Sequence, residues 1–276
     1  METSQPSPPP VKKRKLKGLS LNMMIPNMLT ILALCAGMTA IKFALAGRWE
    51  AAVTAIVAAA ILDTLDGRVA RLLKGSSKFG AELDSLSDFI SFGVSPALIL
   101  YLWALQDSGR FAWIVALLLA ACCALRLARF NVMLDDPDAP AWKANYFSGT
   151  PAPAGAGLAL FPMTLSFLIG DEIVRRPEVV AIVMICVAAL FVSRVPTYSF
   201  KKSKIPSHWI IPTMIFVVLL GAASITAPFI TLASILTLYL ITFPFSIRSH
   251  TKLMREWVAQ NPVSDLDEPK RDNSDT

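Results

Sequence analysis

An all-α, polytopic integral membrane fold of about eight transmembrane helices is predicted by three observations. Hydrophobic residues fill 54% of the 276 positions and mean hydropathy is +0.55, too apolar for a chain that must cover itself with polar surface. The apolar residues fall into runs of about 20, the length an α-helix needs to cross a hydrocarbon core. Lys and Arg alternate between connections instead of spreading evenly, the pattern left when positive charge is retained on one side of a membrane.

Taken in order, residues 1–18 read as a disordered tail, Ser- and Pro-rich and then basic at Lys12, Lys13, Arg14, Lys15 and Lys17. A single transmembrane domain is expected over 19–250. Its spans are read near 27–46, 51–73, 84–106, 111–133, 153–170, 178–197, 209–225 and 227–247. The segment from Leu16 to Met24 has interfacial character, and its basic flank suits anionic lipid. Residues 251–276 form a mixed-charge tail.

Basic residues precede the first span and recur at Lys74 and Lys78, at Arg126, Arg129 and Lys143, and at Arg194, Lys201, Lys202 and Lys204. The other set of connections carries only Arg48, Arg110, Arg175 and Arg176. Both termini and the short second-to-third connection are therefore expected on the cytoplasmic side. The net charge of +6 is dispersed among these loops with no aromatic-basic surface, which excludes a nucleic-acid partner. Cys35, Cys122, Cys123 and Cys186 all fall inside spans, without zinc-site spacing, and read as small apolar fillers.

Against this background four carboxylates stand out. Asp63 and Asp66 lie three residues apart near the end of the second span, and Asp84 and Asp88 lie four apart at the start of the third. Each pair shares a helix face. The intervening Gly-Ser-Ser connection is short enough to make the two helices antiparallel neighbours, so the four acids converge. Intramembrane acids are expensive, and gathered like charges cannot all stay ionised without compensation. One or two Mg²⁺ or Mn²⁺ ions supply it and leave coordination positions open for phosphate. A proton relay or a cation-coupled transport pathway is the competing reading of paired acids.

The whole pattern is Asp63-x2-Asp66-Gly67-x2-Ala70-Arg71-x8-Gly80-x3-Asp84-x3-Asp88, eight fixed positions across 26 residues. It resembles the signature of the CDP-alcohol phosphotransferases, integral membrane enzymes of phospholipid synthesis, and matches at every fixed position. The resemblance implies displacement of CMP from a CDP-linked lipid by an alcohol, a six-helix core, two divalent metals and usually a homodimer. It also implies that Asp63, Asp66 and Asp84 are metal ligands and that Asp88 is both ligand and general base. Gly67, Arg71 and Ser77 would lie against the CDP group of CDP-diacylglycerol, while Ala70 and Gly80 make room for it. Asn27, within Pro26-Asn27-Met28-Leu29-Thr30, resembles the segment that approaches the nucleotide diphosphate.

Three further stretches concern the acceptor: Arg126-Leu-Ala-Arg129-Phe-Asn131, Tyr146-Phe-Ser-Gly149-Thr-Pro151-Ala-Pro153, and Ser193-Arg194-Val-Pro-Thr-Tyr-Ser-Phe-Lys201-Lys202. They resemble the bacterial and archaeal phosphatidylserine synthase branch of the family. L-serine is then the expected acceptor, with Arg129 and Asn131 as its contacts, in a bacterial-type inner membrane. Glycerol 3-phosphate, an inositol compound or choline are the alternative acceptors.

Overall fold

The computed structural model describes residues 21–73, 75, 77–134, 146–148, 150–193, 196–198 and 210–242. The expected tails 1–18 and 251–276, together with Lys201 and Lys202, lie outside the described residues.

The first two apolar runs become a helical hairpin, α1 (Leu21–Leu45) and α2 (Trp49–Leu72). Gly47 closes the turn at φ +69°, a conformation that glycine adopts without steric cost. Ala33, Ala40 and Ala44 on α1 and Ala52, Val53, Ile56 and Ala59 on α2 are buried. Small side chains at the seam let the backbones approach closely, the usual solution inside a membrane.

The next helix, α3, runs continuously over Lys78–Leu105. Ser77 caps it, its Oγ accepting from the Gly80 amide at 2.9 Å. Two stretches are π-helical, Phe89–Val94 and Tyr101–Leu105. Three buried serines line its α1 face: Ser87 Oγ donates to Thr30 O (3.1 Å), Ser91 Oγ to Ala33 O (3.2 Å) and Ser95 Oγ to Gly37 O (3.0 Å). Gly37 is required there, since a Cβ would stand 2.7 Å from the Ser91 Cα.

Helix α4 (Arg110–Leu134) returns against the other side of α3. A Cβ on Gly93 would meet the Cys123 Cβ at 3.0 Å, so glycine sets the closeness of that crossing. After it come β1 (Tyr146–Ser148), α5 (Ala152–Ala159) and α6 (Phe161–Ile169), the two helices bent by 41° at their junction. Pro162 in the first turn of α6 has no amide hydrogen to continue the α5 ladder. Helix α7 (Pro177–Val192) packs on α4 and α5, and β2 (Pro196–Tyr198) pairs antiparallel with β1. Helices α8 (Ile210–Thr226) and α9 (Pro228–Thr242) follow. The core, with Phe92, Ile99, Leu119, Met163, Met184 and Phe191 fully enclosed, lies among α1 to α7 and takes in Leu236 of α9.

The fold is all-α apart from that one strand pair. Each of the eight expected apolar segments is helical over most of its described residues, yet the count of eight spans is not reached by length and composition. Among the described residues three helices qualify, Met24–Leu45, Lys78–Leu105 and Arg110–Val132, or four with the bent α5–α6 pair as one span. The last apolar helices are short, and α2 fails for a different reason. Every 18-residue stretch of α2 holds at least three charged residues, because the acids sit inside it.

Candidate active site

The site forms where the C-terminal end of α2 meets the N-terminal ends of α1 and α3. Asp63, Asp66 and Asp84 each turn a carboxylate oxygen to within 4.8 Å of the other two. Asp66 is buried, and its Oδ2 accepts a 2.7 Å hydrogen bond from Thr30 Oγ1 of α1. Asp88, one turn further along α3, is not part of that group of three. Its carboxyl instead contacts that of Asp63.

No Lys or Arg nitrogen among the described residues comes within 4.0 Å of these four acids; the ion pair found is Arg175–Asp171, at the opposite end of the molecule. Four carboxylates gathered without a cation repel one another. Their hard oxygen donors and spacing fit a divalent ion of the Mg²⁺ or Mn²⁺ class.

Beside the acids opens a cleft of about 150 Å³ whose lining includes Asn27, Thr30, Asp66, Gly67, Ala70, Ser77, Gly80 and Asp84. Small residues make its walls. A Cβ on Gly80 would stand 2.9 Å from Asn27 Oδ1 and 3.1 Å from Ser77 Oγ. Gly67 is different: a Cβ there would meet no protein atom within 4 Å. Internal packing does not require glycine at this position, and its missing side chain leaves the α2 backbone open to the cleft.

The CDP-alcohol phosphatidyltransferase family matches residues 23–192. The chain belongs to that family. Among curated relatives, the CDP-diacylglycerol–serine O-phosphatidyltransferase of Mycobacterium tuberculosis (strain ATCC 25618 / H37Rv) is 38% identical, over 94% of this chain and 88% of its own length. The Mycobacterium leprae protein of the same name is 36% identical over 91% and 81% of the two chains. That of Helicobacter pylori (strain ATCC 700392 / 26695) is 35% identical over 79% and 88%.

The family signature is thus spread over two helices and the turn joining them, and the structure sorts its members. Asn27, Gly67, Ala70, Ser77 and Gly80 share the cleft with Asp66 and Asp84. Arg71 does not line it: its side chain is exposed, with Nε donating to Gly67 O at 2.9 Å. The two residues expected to touch the acceptor are engaged within the fold. Arg129 donates to Val192 O (3.0 Å) and Ser193 O (3.2 Å), tying α4 to the end of α7. Asn131 Nδ2 donates to Ser85 Oγ at 2.9 Å, tying α4 to α3.

Two features of the site lie outside the sequence expectations. Thr30 joins α1 to both acid-bearing helices, donating its hydroxyl to Asp66 and offering its carbonyl to Ser87, which lies between Asp84 and Asp88. Its place four residues after Pro26 on the same helix face as Asn27 was the available signal. Arg126 is 8% exposed and lies within electrostatic range of Asp88 and Asp63, and its Nε has no hydrogen-bond partner. An arginine three residues before the end-of-span Arg129 reads from sequence as one more topology charge.

Proposed function

We propose that this integral membrane protein is a CDP-diacylglycerol–serine O-phosphatidyltransferase, moving the phosphatidyl group from CDP-diacylglycerol to the hydroxyl of L-serine with release of CMP. The observation that carries the reading is the convergence of Asp63, Asp66 and Asp84 beside a glycine-walled cleft, in a chain whose relatives carry that name over most of their length.

The residues divide the work by position. Asp63, Asp66 and Asp84, with Asp88 beside Asp63, would hold two divalent ions, Mg²⁺ or Mn²⁺. Bound there, the ions supply positive charge for the diphosphate and a route for electron density away from phosphorus. Gly67 and Gly80 let the nucleotide diphosphate approach helix backbone, and Asn27 and Ser77 offer polar atoms across the cleft. Arg71, exposed at the rim, can swing to the diphosphate as a planar donor fork.

Asp88 accepts the proton of the serine hydroxyl as its oxygen attacks the lipid-side phosphorus. The bond from that phosphorus to the CMP oxygen breaks, CMP departs with the electron pair, and the proton later leaves Asp88 to water. Acyl chains remain in the bilayer throughout, and the donor enters sideways from it. The distribution of Lys and Arg supports a cytoplasmic site, where serine is dissolved, and the family resemblance supports a homodimer.

The test uses purified full-length protein, radiolabelled CDP-diacylglycerol and a panel of serine, glycerol 3-phosphate, inositol and choline. Labelled phosphatidylserine with stoichiometric CMP is expected. A product formed only from another alcohol would replace the acceptor, and ion flux in proteoliposomes without CMP release would replace the reaction class.

A further inference from the structure

We propose that Arg126, with Thr150 linked to it through Tyr239, holds the carboxylate of the amino-acid acceptor, and that Arg129 and Asn131 do not. This rests on the serine reading above and assigns its specificity to a different place in the chain.

The argument begins from cost. A buried cation is expensive unless it is paired and fully hydrogen-bonded. Arg126 is 8% exposed, no carboxylate among the described residues lies within 4.0 Å of its guanidinium, and its Nε has no hydrogen-bond partner. Thr150 is 1% exposed, and its hydroxyl faces that of Tyr239 on α9. Arg126 is thus a buried cation with an unfilled hydrogen-bonding position, and Tyr239, which meets Thr150, lies within electrostatic range of it. Such a group in a folded protein calls for an explanation, and a ligand that arrives later is one.

Position selects the ligand. Gly93 lies five residues after Asp88, one turn of the π-helical stretch, and its missing side chain lets Cys123 of α4 approach. Arg126 follows Cys123 by three residues, so this crossing brings the guanidinium to the Asp88 side of the acids. It is absent from the lining of the cleft between Asn27, Gly67 and Gly80. An oxyanion held by Arg126 therefore sits next to the base and apart from the nucleotide cleft. An α-amino acid whose hydroxyl points at Asp88 carries its carboxylate only a few bonds away. Arg129 and Asn131, by contrast, already satisfy backbone carbonyls of α7 and a serine of α3.

The experiment compares acceptors that differ only at that group: L-serine, L-serine methyl ester and ethanolamine. It uses full-length wild type, Arg126→Gln, Arg126→Lys, Thr150→Val and Asn131→Ala. Losing one partner of a buried charged contact is expected to raise KM for serine by about 30-fold or more in Arg126→Gln. KM for CDP-diacylglycerol should stay within about threefold, and preference for serine over the ester and ethanolamine should fall by the same factor as serine affinity. Arg126→Lys should recover part of the preference, Thr150→Val should lose several-fold, and Asn131→Ala should keep it.

An unchanged acceptor ratio with lower overall turnover would make Arg126 a counter-ion of Asp88 and overturn the proposal. A parallel rise in KM for CDP-diacylglycerol would move Arg126 to the donor diphosphate and overturn it equally. Thr150→Val carries the same ratio test should the arginine variants not fold, and an unchanged ratio there counts against the pocket. Wild type that ignores serine would sink the acceptor reading itself, a result distinct from any of these.

Discussion

Replacing Thr30 with valine removes one hydroxyl and leaves the shape of the side chain. In the wild type that hydroxyl donates to Asp66 Oδ2 at 2.7 Å, and both residues are 4% exposed. Both residues also line the cleft, so water entering it replaces part of what is lost. A hydrogen bond to a charged acceptor contributes about 1.5–3 kcal/mol, and at about 1.4 kcal/mol per decade this corresponds to roughly a 10- to 150-fold change in an equilibrium constant. Since Asp66 is free to rotate once released, the loss should appear as weaker cation binding, in line with the roughly 10- to 100-fold effect of outer hydrogen bonds on metal ligands. Mn²⁺ binding followed by electron paramagnetic resonance, and the Mg²⁺ concentration at half-maximal CMP release, should both shift by that factor. Thr30→Ser should behave as wild type. If Thr30→Val folds normally and its Mn²⁺ affinity is unchanged, the claim that Thr30 aims Asp66 at a cation is wrong.

The other expectations can be read from separate experiments. Asp88→Asn should keep CDP-diacylglycerol binding and lose turnover by about a hundred- to ten-thousand-fold; near-normal turnover in a CMP-release assay would remove it as the base. Excess chelator should abolish activity and Mg²⁺ or Mn²⁺ should restore it, with persistent activity contradicting the metal reading. Gly67→Ala should raise thermal stability slightly, because alanine is worth about 1 kcal/mol over glycine inside a helix, while KM for CDP-diacylglycerol rises about tenfold or more. Gly37→Ala should destabilise the protein by about 1–3 kcal/mol in detergent unfolding, since its Cβ would press on the Ser91 Cα; an unchanged unfolding midpoint would mean that α1 and α3 separate at little cost.

How far the sequence led depended on whether a feature is local. The acids, the glycines beside them and the short α2–α3 turn lie within 26 consecutive residues, so helical spacing alone put Asp63 and Asp66 on one face and predicted the meeting with Asp84 that the structure contains. Most of the cleft residues came from the same run, with Asn27 added by resemblance and Thr30 missed. What stayed hidden is long-range. Ser87, Ser91 and Ser95 read as three unremarkable small polar residues until α1 is laid against them and each finds a carbonyl nearly sixty residues away. Arg126 and Arg129 are indistinguishable as sequence, yet three residues of helix rotate one toward the α7 carbonyls and the other into the interior. Span counting failed at α2 because hydropathy and function compete there: the charges that make the site also disguise the helix that carries it.

The π-helical stretches of α3 carry one more implication. An α turn holds about 3.6 residues, so serines spaced by four drift steadily round the axis. A turn closed five residues on drifts the opposite way, and alternating the two keeps Ser87, Ser91 and Ser95 on one line facing α1. Deleting a single residue between Phe89 and Val94 would leave a helix just as greasy and nearly as long, which a translocon would insert without distinction. The same deletion deeper, within the α-helical Ser95–Leu100, has no wide turn to absorb it and would turn Asp84 and Asp88 by about 100° relative to everything beyond it. Residence in the membrane and competence at its surface are written into the same 28 residues in two scripts, one tolerant of slippage and the other not.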